Sequence, residues 1–224
     1  MKVILFGATG MVGQGVLREC LLDPRVEAVL SVLRTPTGRR DAKLRELVRK
    51  DFLDFTDLAD EFAGYDACFY CLGVSSVGMN EPDYTRVTYD FALAAARTLA
   101  EVNPELTFVY VSGQGTDGTE QGRTMWARVK GRTENALIAL LPNAYAFRPG
   151  FIQPLHGVRS KTRLYRLLYA LITPLGGLLR RLFPRSVTTT EQLGIAMLSV
   201  AEHGFPRHVL ENRDLTGFGP GPHS

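Results

Sequence analysis

The chain is 224 residues long, with 45% hydrophobic and 22% charged residues and a formal net charge of +3. This fits one soluble globular domain with room for a sizeable core. The mild charge, with arginines spread along the chain, argues against a nucleic-acid partner, and three cysteines in a chain of this size argue against a disulfide framework.

In chain order, "KVILFG" is a short apolar run closed by glycine and predicts a buried strand. Its apolar part is too short for a signal peptide, which with the cysteine usage leads to the expectation of a reducing cytoplasm. "MVGQGVLRECLLD" places Val12, Val16, Leu17 and Leu21 at helical spacing and stops at Asp23-Pro24. "VEAVLSVLR" predicts a second strand. "DAKLRELVRKDFLD" predicts a short helix or coil and a third strand around Leu47 to Phe52. "YDACFYCLG" predicts a fourth strand; Cys68 and Cys71 have C-x-x-C spacing but sit inside this apolar run, which makes them buried cysteines. "DYTRVTYDFALAAARTLAEV" predicts a long helix ending at Asn103-Pro104, "LTFVYVSG" a fifth strand, "RTMWARVKGRTENALIALL" a helix and "AYAFRPG" a sixth strand. "SVTTTEQLGIAML" reads as a helix capped by Thr188 with Glu191 three residues on. "RHVLEN" reads as a last strand, and the Gly- and Pro-rich tail "TGFGPGPHS" predicts no element.

Strand, glycine and helix in alternation predict an α/β fold with a Rossmann-like, doubly wound parallel sheet, in one domain over residues 1–224. Near-continuous apolar strands need helices on both faces. Ligands in such sheets bind beyond the carboxyl ends of the strands. Gly7-Ala8-Thr9-Gly10-Met11-Val12-Gly13 stands between the first strand and the first helix. Gly7 permits the sharp turn, Gly10 lets backbone approach a pyrophosphate, and Gly13 allows close helix packing; the helix N-terminus offers free N–H groups. An acidic residue after the second strand selects a ribose hydroxyl, whereas a cation suits a 2′-phosphate. Arg34 stands there, with Arg39 and Arg40 following, so the expected cofactor is NADP(H) in preference to NAD(H). Asp51 and Phe52 fall where an adenine ring would lie, with Phe52 open to a core reading as well, and "CLGVSS" brings Cys71, Leu72, Gly73 and Val74 over the cofactor. No second histidine or carboxylate stands at metal spacing from His156, so no metal site is expected.

"GATGMVG", "CLGVSS", "YVSGQG", "WARVKGRTE" and "FRPGFI", in this order, resemble the short-chain dehydrogenase/reductase superfamily. The similarity is greatest to its atypical or extended, NAD-dependent epimerase/dehydratase-like branch, which includes NmrA-like and Tat-interacting oxidoreductase-like proteins. It runs from Met1 to about Glu211. It implies that Gly7, Thr9, Gly10, Met11, Val12 and Gly13 form the pyrophosphate loop, that Arg34 selects NADP, and that Leu72 and Gly73 form the loop after the fourth strand. It implies that Ser112 hydrogen-bonds a substrate carbonyl, that Lys130 holds the nicotinamide ribose, and that Pro149, Gly150 and Phe151 line the nicotinamide side. The departure is Trp126, fourteen residues after Ser112 and four before Lys130, where the family carries a tyrosine acting as general acid. An indole N–H donates a hydrogen bond but does not ionise near neutral pH. Trp126 is thus a packing residue or a substrate-lining one, and a proton has to come from Tyr84, Tyr89, His156 or a water held by Ser112 and Lys130. Two readings follow: an oxidoreductase acting on a small carbonyl or related substrate, or a redox-inactive NADP(H)-binding sensor working through protein partners.

Residues 159–185 stand apart: Leu164, Leu167, Leu168, Leu171 and Ile172 recur at helical spacing beside Arg163 and Arg166, then Thr173-Pro174 interrupts. The stretch is too short and broken to span a bilayer. Three readings stay open: a small lobe over 153–187 covering the substrate, as the resemblance implies, contact with an anionic membrane surface, or packing against a partner chain. The oligomeric state is open.

Overall fold

The computed structural model describes residues 1–157 and 187–219. The segment expected to cover the substrate, 153–187, lies outside the described residues except at its ends, and the basic apolar stretch 159–185 lies outside them entirely.

Seven strands form one sheet: β1 (Lys2–Phe6), β2 (Ala28–Leu33), β3 (Leu44–Val48), β4 (Ala67–Tyr70), β5 (Thr107–Val111), β6 (Ala144–Arg148) and β9 (Val209–Glu211). Their order is β3-β2-β1-β4-β5-β6-β9, and every neighbouring pair is parallel. The helices are α1 (Met11–Leu22), the short α2 (Ala59–Phe62), α3 (Glu81–Thr85), α4 (Phe91–Val102), α5 (Met125–Leu140), α6 (Thr190–His203) and the short α7 (Asn212–Leu215). A separate pair, β7 (Phe151–Gln153) with β8 (Val187–Thr189), is also parallel.

Successive strand residues point to opposite faces, and both faces are covered. Val3, Leu5, Ala67, Phe69, Val109 and Phe147 pack with Val16, Leu17, Cys20 of α1 and Leu193, Ala196, Met197 of α6. Ile4, Phe6, Cys68, Tyr70, Phe108 and Tyr110 pack on the other face with Ala92, Ala95, Ala96 and Leu99 of α4 and Leu137 of α5. This double burial explains the uninterrupted apolar strands and makes the sheet doubly wound, as the alternation of elements predicted. It also separates the cysteines: Cys68 belongs to the second face while Cys71 packs against the first, and all three remain free. Burial pushes the thiols of Cys20, Cys68 and Cys71 up, which disfavours the thiolate at each, although Cys71 is only half-buried.

Helices α1 and α6 meet at a glycine seam. A Cβ on Gly15 would stand 2.5 Å from Thr190 Cβ, and one on Gly194 2.6 Å from Glu19 Cγ. Side chains larger than hydrogen would force these helices apart.

Three elements depart from expectation. β3 ends at Val48, and Phe52 has left the strand; its ring turns into the core, edge-on to Phe6 at 6.3 Å and Phe55 at 5.6 Å. The apolar pattern around Phe52 therefore marked burial in a loop. The long helix expected from Asp83 is interrupted: α3 and α4 are joined by a π-helical turn over Arg86–Asp90, an inserted widening of the kind often found at functional sites. The cap of α6 is Thr189 with Gln192, each bonding the other's backbone N–H at 3.0 Å, in place of Thr188 with Glu191. Thr188 lies within β8, and its hydroxyl donates to Asn212 Oδ1 at 2.6 Å, which leaves the next threonine to cap.

Candidate functional site

The order of the strands reverses between β1 and β4, both of which start from the sheet centre and run in the same direction. A crevice therefore opens beyond their carboxyl ends, where the connections part to opposite sides. The glycine turn sits in it. Gly7 adopts φ +82°, and a Cβ there would lie 2.6 Å from the Cys71 carbonyl carbon and the Leu72 nitrogen, so the turn and the loop after β4 touch backbone to backbone. Gly10 N–H donates to Gly7 O at 2.9 Å and closes the turn. A Cβ on Gly13 would lie 2.1 Å from that same Gly7 oxygen, which sets the first turn of α1 directly against the loop. Gly10 is the N-cap, no side chain caps the helix, and no acidic residue stands in its first turn. The first-turn N–H groups and the positive end of the helix dipole are thus left for an external acceptor.

The crevice has a volume of about 620 Å³ and takes in Gly7, Thr9, Gly10 and Met11 from the turn, with Arg34 and Phe52 across from it. Leu72, Gly73 and Val74 form a third wall. Val32, Leu33, Thr35, Cys71, Val87 and Phe91 also line it. Val12 and Gly13 stand behind, inside α1. Asp51 is not brought to the crevice: its carboxylate accepts from Leu53 N–H at 2.9 Å in a local turn on the surface. Phe52 is a core ring, as one of its two expected readings had it, and also lines the crevice. Val87, in the π turn, and Phe91, the first residue of α4, were not legible beforehand.

Ser112, Trp126 and Lys130 form a second group, around the ends of β5 and β6 and the start of α5. Ser112 follows β5 directly and is 8% exposed. Its Oγ lies 2.9 Å from Thr116 Oγ1, which itself donates to Gly113 O at 2.8 Å, so Ser112 is the donor of the pair. Trp126, the second residue of α5, lays the outer edge of its indole over Gly115: Cη2 stands 3.5 Å from where a Cβ would be. The indole thus packs on the loop that carries Ser112. Lys130 Nζ donates to Val111 O at 3.4 Å and lies 5.3 Å from the centre of the Tyr110 ring. Desolvation pulls the Lys130 pKa down to about 8, against an opposing pull from the Glu134 carboxylate. The ring of Tyr84 is 2% exposed, and burial raises its pKa, which makes it a weaker acid. Tyr89 lies under the Arg132 guanidinium at 4.4 Å. His156, with φ +55°, pairs with Glu191 of α6 at 2.5 Å.

Beside this group lies a polar network that the sequence reading missed. Glu134, one turn after Lys130 on α5, is 1% exposed. Arg148, the last residue of β6, donates Nη2 to Glu134 Oε2 at 2.6 Å and Nε to Oε1 at 3.1 Å, while its Nη1 reaches Glu211 of β9 at 3.1 Å. The bond to Glu134 is the main cause that raises the Arg148 pKa. The segment Pro149-Gly150-Phe151 follows at once. It is fixed by Gly150 N–H donating to Asn212 Oδ1 at 2.7 Å and by Gln114 N–H donating to Pro149 O at 2.9 Å. The available signal was the spacing of Lys130 and Glu134, four apart on one helix face.

The family model described as the NAD dependent epimerase/dehydratase family matches residues 3–129. "Protein FMP52, mitochondrial" of Debaryomyces hansenii is 28% identical over 166 residues, covering 73% of this chain and 70% of that protein. "Protein HTATIP2" of Rattus norvegicus is 29% identical over 159 residues, covering 67% of this chain and 62% of that protein, so the match spans less than two thirds of that relative's length. Among solved structures, an oxidoreductase of the short-chain dehydrogenase/reductase family from Burkholderia thailandensis superposes with a TM-score of 0.68 at 15% identity, covering 98% of this chain and 93% of that one, a likeness of fold. Among the described residues, no helix is long and apolar enough to cross a membrane.

Proposed function

The chain belongs to the NAD dependent epimerase/dehydratase family, and from that premise we propose that it is an NADP(H)-binding oxidoreductase acting on a small carbonyl or related substrate. The observation that carries the reading is the uncapped α1 N-terminus opening, through a turn with glycine at positions 7 and 10, into a crevice with Arg34 at its lip. The residues fit a dinucleotide. Gly10 leaves space that a side chain would fill, the first-turn N–H groups suit a pyrophosphate, and the guanidinium of Arg34 suits a 2′-phosphate. Thr9, Met11, Leu72, Gly73 and Val74 would line the coenzyme, with Phe52 on the adenosine side. Pro149, Gly150 and Phe151 would border the nicotinamide and Lys130 its ribose. Asp51, turned to the surface, has no place in this scheme.

When bound, the coenzyme supplies or accepts a hydride. The protein's part is orientation and proton handling. Ser112 polarises the substrate oxygen by turning its hydroxyl proton from Thr116 to the substrate. Trp126 packs on the Ser112–Thr116 loop through Gly115 and would wall the substrate side of the site. The second reading, a redox-inactive NADP(H)-binding regulatory protein acting through protein partners, is favoured by Trp126 itself, since an indole takes no part in proton transfer. Fluorescence titration with NADPH and NADH tests the shared premise. NADPH should bind at least about tenfold more tightly, a difference of ~1.4 kcal/mol, and Arg34→Asp should reverse the order. Equal affinities would remove Arg34 from its assignment, and no binding of either coenzyme would refute the reading.

A further inference from the structure

A buried carboxylate needs a cation or several donors to stay in the protein interior. Among the described residues, two cationic side chains reach toward Glu134: Lys130, four residues earlier on the same helix face, and Arg148, from the end of β6. The structure gives the carboxylate to Arg148. Both Glu134 oxygens are engaged, Oε2 by Nη2 at 2.6 Å and Oε1 by Nε at 3.1 Å, a two-pronged geometry that a guanidinium makes and an ammonium does not. Lys130 is left with a long bond to the Val111 carbonyl and the face of Tyr110, partners that it can exchange at small cost.

We propose that Arg148 is a positioning residue for Lys130: by occupying both oxygens of Glu134 it keeps that carboxylate from capturing the Lys130 ammonium, which stays available to a ligand extending out of the crevice toward α5. The inference rests on the reading of Lys130 as the group that holds the coenzyme ribose. The placement of Arg148 serves this purpose in a second way. It precedes Pro149–Phe151 directly, its third nitrogen reaches Glu211 of β9 at 3.1 Å, and its Nη2 lies 3.5 Å from where a Cβ on Gly118 would stand, in the loop that begins with Ser112. One side chain thus ties α5 and β9 to the end of β6 and passes close beside the β5–α5 loop.

Among the described residues, the charged and titratable groups around the pair are Tyr84 of α3, Tyr110 of β5, Lys130 and Glu134 of α5, Arg148 of β6 and Glu211 of β9. In Arg148→Met the only cation left among them is Lys130. Glu134 then pairs with it, the Lys130 pKa rises from where desolvation holds it in the wild type, and the ammonium is withdrawn from the coenzyme. In Glu134→Gln the carboxylate that supports the charged form is gone, and the Lys130 pKa falls. Arg148→Met combined with Glu134→Gln removes both charges and releases Lys130 again.

The chain has five lysines, so lysine labelled with carbon-13 at the ε position gives a resolvable spectrum, with Lys130→Arg to assign the signal. Titration of the coenzyme-free protein should show the Lys130 pKa raised by about one pH unit or more in R148M and lowered in E134Q. NADPH affinity should fall about tenfold or more in R148M. It should return to within about threefold of wild type in the double variant, a rescue that a merely structural arginine would not give. If R148M does not fold, R148K compared with R148K/E134Q makes the same comparison, because a lysine holds only one oxygen of Glu134. An unchanged Lys130 titration in R148M or R148K, or a double variant no better than its single parent, overturns the proposal. Failure of the wild-type chain to bind NADPH refutes the functional reading alone, and the coenzyme-free titration still decides what Arg148 does.

Discussion

Gly10→Asp separates what the glycine turn does for the fold from what it does for a ligand, because its two effects have opposite signs. Gly10 caps α1 at φ −78° and ψ 165°, a conformation open to any residue, and the cap lacks a side-chain acceptor. Aspartate supplies that acceptor, worth a few tenths of a kcal/mol over glycine. Its charge at the positive end of the helix adds about 0.3–1 kcal/mol, and the stiffer unfolded chain adds roughly 0.4–1 kcal/mol. Against these stands a tight contact, since the new Cβ would lie 3.3 Å from the Gly7 carbonyl oxygen. A small backbone adjustment relieves it at a cost of about 1 kcal/mol. The balance is a gain of roughly 0.5–1 kcal/mol in the ligand-free protein, or about 1–4 °C in Tm for a chain of this size. A pyrophosphate at the same turn meets a like charge. Two unit charges 4 Å apart repel by ~4 kcal/mol at the effective dielectric near a protein surface, so NADPH affinity should fall by at least about 100-fold. Scanning calorimetry of the ligand-free variant and fluorescence titration with NADPH read the two effects. Binding within about threefold of wild type would refute the placement of the pyrophosphate, and a ligand-free Tm several degrees lower would refute the account of the cap.

Two further outcomes are expected. Trp126→Tyr restores an ionisable hydroxyl four residues before Lys130, and general acid catalysis is worth about 10²–10⁴-fold. Screening small carbonyls for NADPH oxidation should find turnover raised in this variant; a wild type without turnover beside an active tyrosine variant favours the regulatory reading, and equal turnover in both removes Trp126 from the proton question. Tyr70→Phe should stabilise the fold, because the Tyr70 hydroxyl is fully buried and finds no hydrogen-bond partner among the described residues. Removing an unsatisfied buried hydroxyl recovers up to about 1–3 kcal/mol, so a fall in Tm would show that the hydroxyl has a partner after all.

The sheet was legible because its strands are covered on both sides: "KVILF", "ACFY" and "TFVYV" carry apolar residues at consecutive positions, and glycines mark where most of them end. The edge strand β3 was harder. Its residues are only partly buried, so the more apolar stretch near Phe52 drew the expectation several residues along the chain. The π turn at Arg86–Asp90 leaves no mark in composition, and with it Val87 and Phe91 were missed. Three threonines in a row made the cap of α6 ambiguous by one residue, and only tertiary contact with Asn212 resolves it. The turn around Gly10 could be read locally because its function depends on backbone. The Glu134–Arg148 pair could not, since a charged residue in the interior becomes intelligible only once its partner, fourteen residues away, is in view.

The glycine seam between α1 and α6 has a consequence for how this protein can be divided. The helix that presents its amino end to the crevice is held on its far side by a helix that begins at Thr190, close to the other terminus. A fragment cut after the sixth strand would keep the whole fingerprint of the N-terminal turn, yet it would lose the wedge that sets that turn's angle to the sheet. The shortest piece that can dock a nucleotide is therefore much longer than the shortest piece that spells out the motif, and any chimera that grafts the first half onto another scaffold has to bring a matching pair of small residues with it.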